Sequence, residues 1–325
     1  VFNLNFSLRD QVYKVYIVML IMITIYIYYH YGAKAFPDYQ GYLLNADPNY
    51  SGYFFEYLAR AILTLDLFGS TPEQRLDVLA FVVQSINVFL ILLLLLMRKS
   101  SYALAIFCSI YLPLLMTTVL RAGPLYIFTF FVTSLSFRKE LGIKEILVVT
   151  LFGVFFHDSV LLISVTLFLA LFICKIDMFS GKSLLYSLPF LFFMILFNNE
   201  IKLLAMNFVD PQWLGHRDIY LLPSNVSLIK YLYSFVLILL GCFFLNDSGV
   251  SMRNKLFLFF LLSLYSCTFI LSNVVAIRLS IFYIGFLLSI KDCFLHKIEL
   301  KPEFSVVLIP VLFFVYVYNF RGLLI

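Results

Sequence analysis

Charge is scarce in this sequence. Asp, Glu, Lys and Arg make up 13% of its 325 residues, about half the ~25% of a soluble domain. So little charge cannot solvate the surface of a water-soluble chain of this length. The apolar runs also lack period-2 alternation, which excludes a membrane β-barrel. Cysteines number only five and are dispersed (Cys108, Cys174, Cys242, Cys267, Cys293). No CxxC or Cys/His spacing marks a metal site or disulfide frame. Basic residues sit scattered at the ends of apolar runs, so no nucleic-acid footprint is present and the net charge of +5 is a topology signal. No DxD motif and no internal repeat is evident. No cleavable-signal pattern precedes the first apolar run, which is expected to act as an uncleaved anchor.

What is abundant is apolar and aromatic. The chain is 63% hydrophobic, with 38 Phe and 22 Tyr. Its apolar runs approach the ~20 residues that cross a bilayer as helix. They predict an all-α, polytopic integral membrane protein, a single transmembrane domain over 1–325. The runs begin with Val15–Tyr29 and Leu76–Met97, then Tyr102–Leu120 and Ala122–Ser136 around the helix-breaking Arg121-Ala122-Gly123-Pro124. Ile146–Cys174 is apolar except for His157-Asp158 near its middle, and Leu184–Phe197, Leu228–Leu245, Leu256–Leu271, Val274–Ile290 and Val306–Phe320 follow. Treating Ile146–Cys174 as two short helices turning at His157 gives about 11 spans and keeps more than half of the 23 Lys and Arg on one side. That side is then cytoplasmic, with the N-terminus inside and the C-terminus outside.

Against this apolar background stands the polar interval Phe36–Asp77. It carries six acidic residues (Asp38, Asp47, Glu56, Asp66, Glu73, Asp77) among many tyrosines. Irregular loops longer than about 15 residues are uncommon unless functional or disordered, and disordered segments are poor in aromatics. An ordered extracytoplasmic loop over 31–75 is expected, with an interfacial helix at Tyr53–Leu65. A second polar loop is expected at 198–227, containing His216-Arg217-Asp218.

The expected topology gathers the polar groups at one membrane face. The first loop, Arg121, His157-Asp158, Arg217 and Arg278 all fall at extracytoplasmic ends. Some should be recessed, because Ala122–Ser136 reaches only about 22 Å. Ionisable groups at such depth are costly and usually functional. Each has a plainer reading: an ion-pair or snorkelling role for Arg121 or Arg278, an N-cap for Asp158, a surface pair for Glu56 and Arg60, interface-belt aromatics for Tyr39, Tyr42, Tyr53 and Tyr57. Together they suit one chemistry. Arginines clamp phosphate oxygens at any working pH, aromatic faces stack on sugars, and a carboxylate or His takes a proton from a hydroxyl. A lipid diphosphate bearing a glycan meets all three.

The blocks Asp38-Tyr39, Tyr42, Glu56-Tyr57, then Arg121 with Pro124, Phe156-His157-Asp158-Ser159, and Ala276-Ile277-Arg278 with Tyr283 resemble the EpsG branch of the Wzy-type polysaccharide polymerases, over residues from about 36 to 290. The Asp47-Pro48-Asn49 insertion departs from the plainer helix entry of related proteins and points to repeat-unit specificity. The resemblance implies a GT-C-like glycosyltransferase architecture. It also implies growth of an O-antigen or exopolysaccharide on undecaprenyl diphosphate, at the periplasmic face of the bacterial inner membrane. Its partners are then undecaprenyl-diphosphate-linked oligosaccharide and membrane lipids, with a chain-length regulator as a further candidate and no nucleic acid. Diphosphate binding falls to Arg121 and Arg278 with Arg217, and glycan binding to Tyr39, Tyr42, Tyr53 and Tyr57. His157 is the first candidate for general base, with Glu56 and Asp38 as rivals. Catalysis is expected to be inverting and metal-independent, without a cofactor. A lipid-linked glycan ligase, a sugar O-acyltransferase, and a transporter or flippase of lipid-linked oligosaccharide remain open as alternatives.

Overall fold

In a computed structural model the chain is described at all residues except 1, 33–41, 44–56, 98–100, 118–121, 136–141, 158, 177–179, 207–225, 296–301 and 324–325. The described residues form thirteen α-helices: α1 (Phe2–Tyr31), α2 (Tyr57–Thr64), α3 (Pro72–Met97), α4 (Tyr102–Thr117), α5 (Gly123–Leu135), α6 (Ile143–Val154), α7 (Ser159–Ile176), α8 (Gly181–Leu196), α9 (Asn198–Met206), α10 (Leu228–Asn246), α11 (Met252–Leu271), α12 (Asn273–Leu295) and α13 (Pro302–Leu323). No strand occurs among the described residues. Five helices are long and apolar enough to cross a membrane, or six if the bent pair α8–α9 counts as one span. The protein is therefore an all-helical membrane protein.

Contacts divide the chain into two units. The first comprises Val1–Arg138, Leu147–Leu162 and Gly285–Ile325. Its hub is α4, against which α1, α3, α5 and α13 all pack. A helix apolar all round belongs inside a bundle, and α4 buries residues on every side, from Ala103 and Phe107 to Tyr111 and Met116. Hydrogen bonds fix its neighbours in register. Tyr16 and Ser109 hydroxyls meet at 2.9 Å, and Thr24 and Tyr316 at 2.7 Å. Asn319 donates to the Ile110 carbonyl at 2.9 Å, three residues before Pro113. Proline removes a helical donor, so a side-chain donor near that turn suits the apolar setting.

The second unit comprises Lys139–Ile146 and Ile163–Ile284. There α8, α10 and α11 pack mutually, and α9 lies on α11. Small residues and hydroxyls join the helices, as expected where lipid supplies no hydrophobic drive between them. Ser234 meets Tyr265 at 2.6 Å, Tyr233 meets Ser280 at 2.6 Å, and Tyr283 donates to the Leu237 carbonyl at 3.1 Å.

Of the interfacial helix expected at Tyr53–Leu65, residues 53–56 lie outside the described residues and Tyr57–Thr64 is helical. One element differs from expectation. The expected loop 198–227 opens with helix α9, bent 76° from α8. Hydropathy missed α9 because Asn198, Asn199, Glu200 and Lys202 fall within its nine residues.

Candidate functional site

In the first unit the site region is built on α2, α3 and the turn between α6 and α7. α2 is amphipathic: Ala59, Ile62 and Leu63 are buried at helical spacing while Arg60 is exposed. Its buried face packs on α3. The chain then turns through a 3-10 segment, Asp66–Phe68, and Gly69 at φ +151°. A Cβ at Gly69 would come within 2.7 Å of Gln74 Cβ, so both conformation and space require glycine there. Next, Thr71-Pro72-Glu73-Gln74 starts α3 as a capping box. Gln74 N–H donates to Thr71 Oγ1 at 3.3 Å, and Gln74 Oε1 accepts from the Ser70 and Thr71 N–H groups at 2.9 and 3.3 Å.

This start of α3 supplies polar groups the sequence reading left without a role. Arg75 is only 8% exposed and donates from Nη1 to Asp66 Oδ1 at 2.7 Å. The Asp66 side chain is 91% exposed, so water screens the pair, and it is worth under about 1 kcal/mol. Asp77, exposed one turn further along, interacts electrostatically with Tyr28 and Tyr29 at the end of α1. Tyr28 also interacts with Tyr42, and both tyrosines are buried. Of the four tyrosines assigned to glycan, Tyr42 is thus a buried neighbour of Tyr28. Asp77 was visible only as one acid of the polar interval. Its interaction with Tyr28 brings the start of α3 toward the end of α1, which no local pattern encodes.

His157 lies in the turn that splits Ile146–Cys174 into α6 and α7, as expected. Gly153 makes the turn possible: a Cβ there would fall 2.4 Å from Val160 Cγ2 and 2.6 Å from Leu125 Cδ1. The His157 N–H donates to the Gly153 carbonyl at 2.9 Å. Its ring accepts at Nδ1 from the Ser159 N–H at 3.1 Å. A neutral imidazole accepting at Nδ1 carries its proton on Nε2. In this tautomer Nε2 donates, and His157 can take a proton only by giving up the Ser159 bond. The turn is tied to the first polar interval by one backbone bond. Leu58 N–H, two residues after Glu56, donates at 3.2 Å to the carbonyl of Phe155, two residues before His157.

The last described turn of α4, ahead of Arg121, is tied to α3. Gln84 and Asn87, both buried, donate from their amides to the carbonyls of Met116 and Leu115 at 2.8 and 3.4 Å. Side-chain donors thus reach carbonyls near the end of α4, where lipid could supply none. Gly123 closes the break from the other side, 2.6 Å from the Leu115 carbonyl at its would-be Cβ. At 13 residues, α5 spans about 20 Å, well short of a ~30 Å hydrocarbon core.

Arg121, Arg217, Asp38, Glu56, Tyr39 and Tyr53 lie outside the described residues, as does the side chain of Tyr57. Arg278 is half-buried in the second unit, in the second turn of α12 between Asn273 and Ser280. At about 100° per residue it sits some 140° around the helix from Asn273. Asn273 and Ser280 both hydrogen-bond α10, through Lys230 and Tyr233. Arg278 is thus on a different side of α12 from those contacts. Among the described residues no group of three or more His, Cys, Asp or Glu gathers to hold a metal.

No protein-family model, curated protein or solved structure matches this chain.

Proposed function

We propose that the protein is a polysaccharide polymerase, a membrane glycosyltransferase that moves a growing glycan from undecaprenyl diphosphate onto a lipid-linked repeat unit. The observation that carries this reading is the Leu58–Phe155 backbone bond. It joins the segment after Glu56-Tyr57 to the turn bearing His157, two blocks separated by about a hundred residues that the chemistry needs together. The buried Tyr42, within the same unit, adds an aromatic ring suited to a sugar.

In the proposed reaction an acceptor hydroxyl attacks the anomeric carbon of the donor's reducing-end sugar. The new C–O bond forms as the bond from that carbon to the diphosphate breaks, with inversion. The hydroxyl proton passes to a base, and the diphosphate leaves as an anion on its lipid. Arg121, Arg278 and Arg217 balance that charge as it develops. The Nε2–H tautomer of His157 suits donation to a substrate oxygen, which raises Glu56 and Asp38 as bases; His157 itself serves as base after exchange of its Ser159 bond. Arginine clamps supply the role a divalent cation plays elsewhere. The fold is GT-C-like with about 11 spans, the shorter apolar helices completing the set. It lies in the bacterial inner membrane, N-terminus inside, with the site facing the periplasm.

A second reading, a flippase of lipid-linked oligosaccharide, draws on the broken helix α8–α9, since discontinuous helices often hold transported ligands. Gene deletion separates the two. A polymerase mutant accumulates single repeats on undecaprenyl diphosphate at the outer leaflet with no glycan ladder. A flippase mutant retains them at the inner leaflet. An unchanged ladder overturns both. Impermeant cysteine labelling tests the orientation: label entering at position 139 but not at 47 reverses it.

A further inference from the structure

α2 and the turn after it are the lightly held part of the first unit. α2 is eight residues long, and of its described side chains Ala59, Ile62 and Leu63 are buried. So short a helix does not sustain itself; it depends on docking against α3. The α6–α7 turn that it meets is held more firmly. Phe152 stacks on Phe128 of α5 at 3.9 Å, and the missing Cβ of Gly153 lets Val160 and Leu125 close on the turn. Among the described residues one hydrogen bond joins α2 to that turn, from Leu58 N–H to the Phe155 carbonyl at 3.2 Å. When the two part, α2 is therefore the side that moves.

The turn beyond α2 supplies a pivot and a bias. Gly69 holds φ +151°, a conformation other residues rarely adopt. Arg75 ties this turn to α3: its Nη1 donates to Asp66 Oδ1 at 2.7 Å and to the Gly69 carbonyl at 3.4 Å. The Asp66 side chain is 91% exposed, so water weakens the ion pair. Arg75 is 8% exposed, and its Nε–H is buried with no hydrogen-bond partner. The seated turn thus lies against a guanidinium that has an unmet donor. Apolar burial under α2 favours docking, and the unmet donor opposes it. An element under two opposed terms has two accessible states.

We propose that α2 together with residues 65–71 is a lid. Docked, it brings the segment after Glu56 to the turn bearing His157. Lifted, it opens that turn to a glycan headgroup and lets water reach Arg75. That the occupant is a glycan rests on the polymerase reading; the motion of the lid does not.

Leu58 provides the test. It is the second residue of α2, and the first four N–H groups of a helix have no partner within it. Protection of the Leu58 amide therefore reports docking alone. Hydrogen exchange is read at single amides of the full chain in nanodiscs, without substrate. The Leu58 amide is expected to be protected, yet to exchange about 100-fold or more faster than amides in the middle of α4, as local opening does. Gly69→Ala, which the docked turn does not accommodate, is expected to speed Leu58 exchange by about tenfold or more. Arg75→Leu is the sharper variant. Loss of a screened ion pair speeds exchange by about fivefold at most, whereas loss of an unmet buried donor slows it by about fivefold or more. Slower Leu58 exchange is therefore expected in Arg75→Leu.

A Leu58 amide as slow as those of α4 overturns the lid, and so does one with no protection. Faster exchange in a folded Arg75→Leu protein overturns it as well. Should Arg75→Leu fail to accumulate, Gly69→Ala carries the test, and unchanged Leu58 exchange there removes the proposal. A glycan ladder lost on gene deletion alongside any of these results leaves the polymerase reading standing without the lid.

Discussion

The two units handle charged groups differently. In the first, the carboxylates Asp66, Glu73 and Asp77 are exposed and the polar groups turned inward are tyrosines, Thr and Ser hydroxyls, amides and the single base Arg75. In the second, Lys202 is buried, and Lys230 and Arg278 are half-buried. Water already stabilises an exposed carboxylate, so Asp66, Glu73 and Asp77 cost the fold little. A buried ammonium costs several kcal/mol unless it is compensated, and Lys202 is engaged by its surroundings. The first unit therefore keeps the carboxylates around the start of α3 in water, and the second draws basic side chains inward. The buried group is the more informative of the two.

The largest expected effects test the chemistry of the first unit. His157→Ala should lower ladder formation by about 10²-fold or more, the usual yield of a positioned acid–base group, while membrane accumulation is kept. Glutamine places its amide nitrogen where Nε2 stands. His157→Gln should therefore restore much of the activity if the imidazole donates, and none if it is the base. Ladders at wild-type level from His157→Ala move the chemistry to Asp38 or Glu56.

Arginine tests come next and bear on both units. Arg121→Lys and Arg278→Lys keep the charge but lose the planar fork. A charge-assisted bond is worth about 1.5–3 kcal/mol, so each variant should form ladders about 10–100-fold more slowly. Ladder formation and membrane yield measured together decide the matter. Full ladders from both Lys variants, with poor accumulation of both Ala variants, would make the arginines scaffold.

A pair of glycines sharpens the comparison through packing. At Gly123 an added Cβ meets backbone, the Leu115 carbonyl at 2.6 Å, whereas at Gly241 it meets side-chain ends, Leu262 Cδ2 at 3.0 Å and Tyr283 Oη at 3.1 Å. Gly123→Ala should cost about 2–3 kcal/mol and Gly241→Ala about 1 kcal/mol or less, read as thermal stability in detergent. Equal losses would mean that both bundles are equally rigid. The smallest effect belongs to the exposed pair: Asp66→Asn should shift stability by less than about 1 kcal/mol. A larger loss would show Arg75 depending on Asp66 for more than a screened contact.

Much of this architecture follows from the chain read locally. Helical class, the break at His157, the start of α5 at Gly123-Pro124 and the amphipathic α2 are all set by short-range patterns of hydropathy and backbone chemistry. Thr71-Pro72-Glu73-Gln74 likewise encodes the start of α3 in its own side chains. Packing decided what no window can contain. Lys202 reads as one more charge in a polar loop until α9 folds against α11 and buries it. Asp77 acts on Tyr28 because the start of α3 comes near the end of α1, distant in sequence. The Nδ1 acceptor role of His157 is set by the first turn of α7. Burial and hydrogen-bond direction are properties of the whole bundle, and they turn residues of ordinary type into residues with a use.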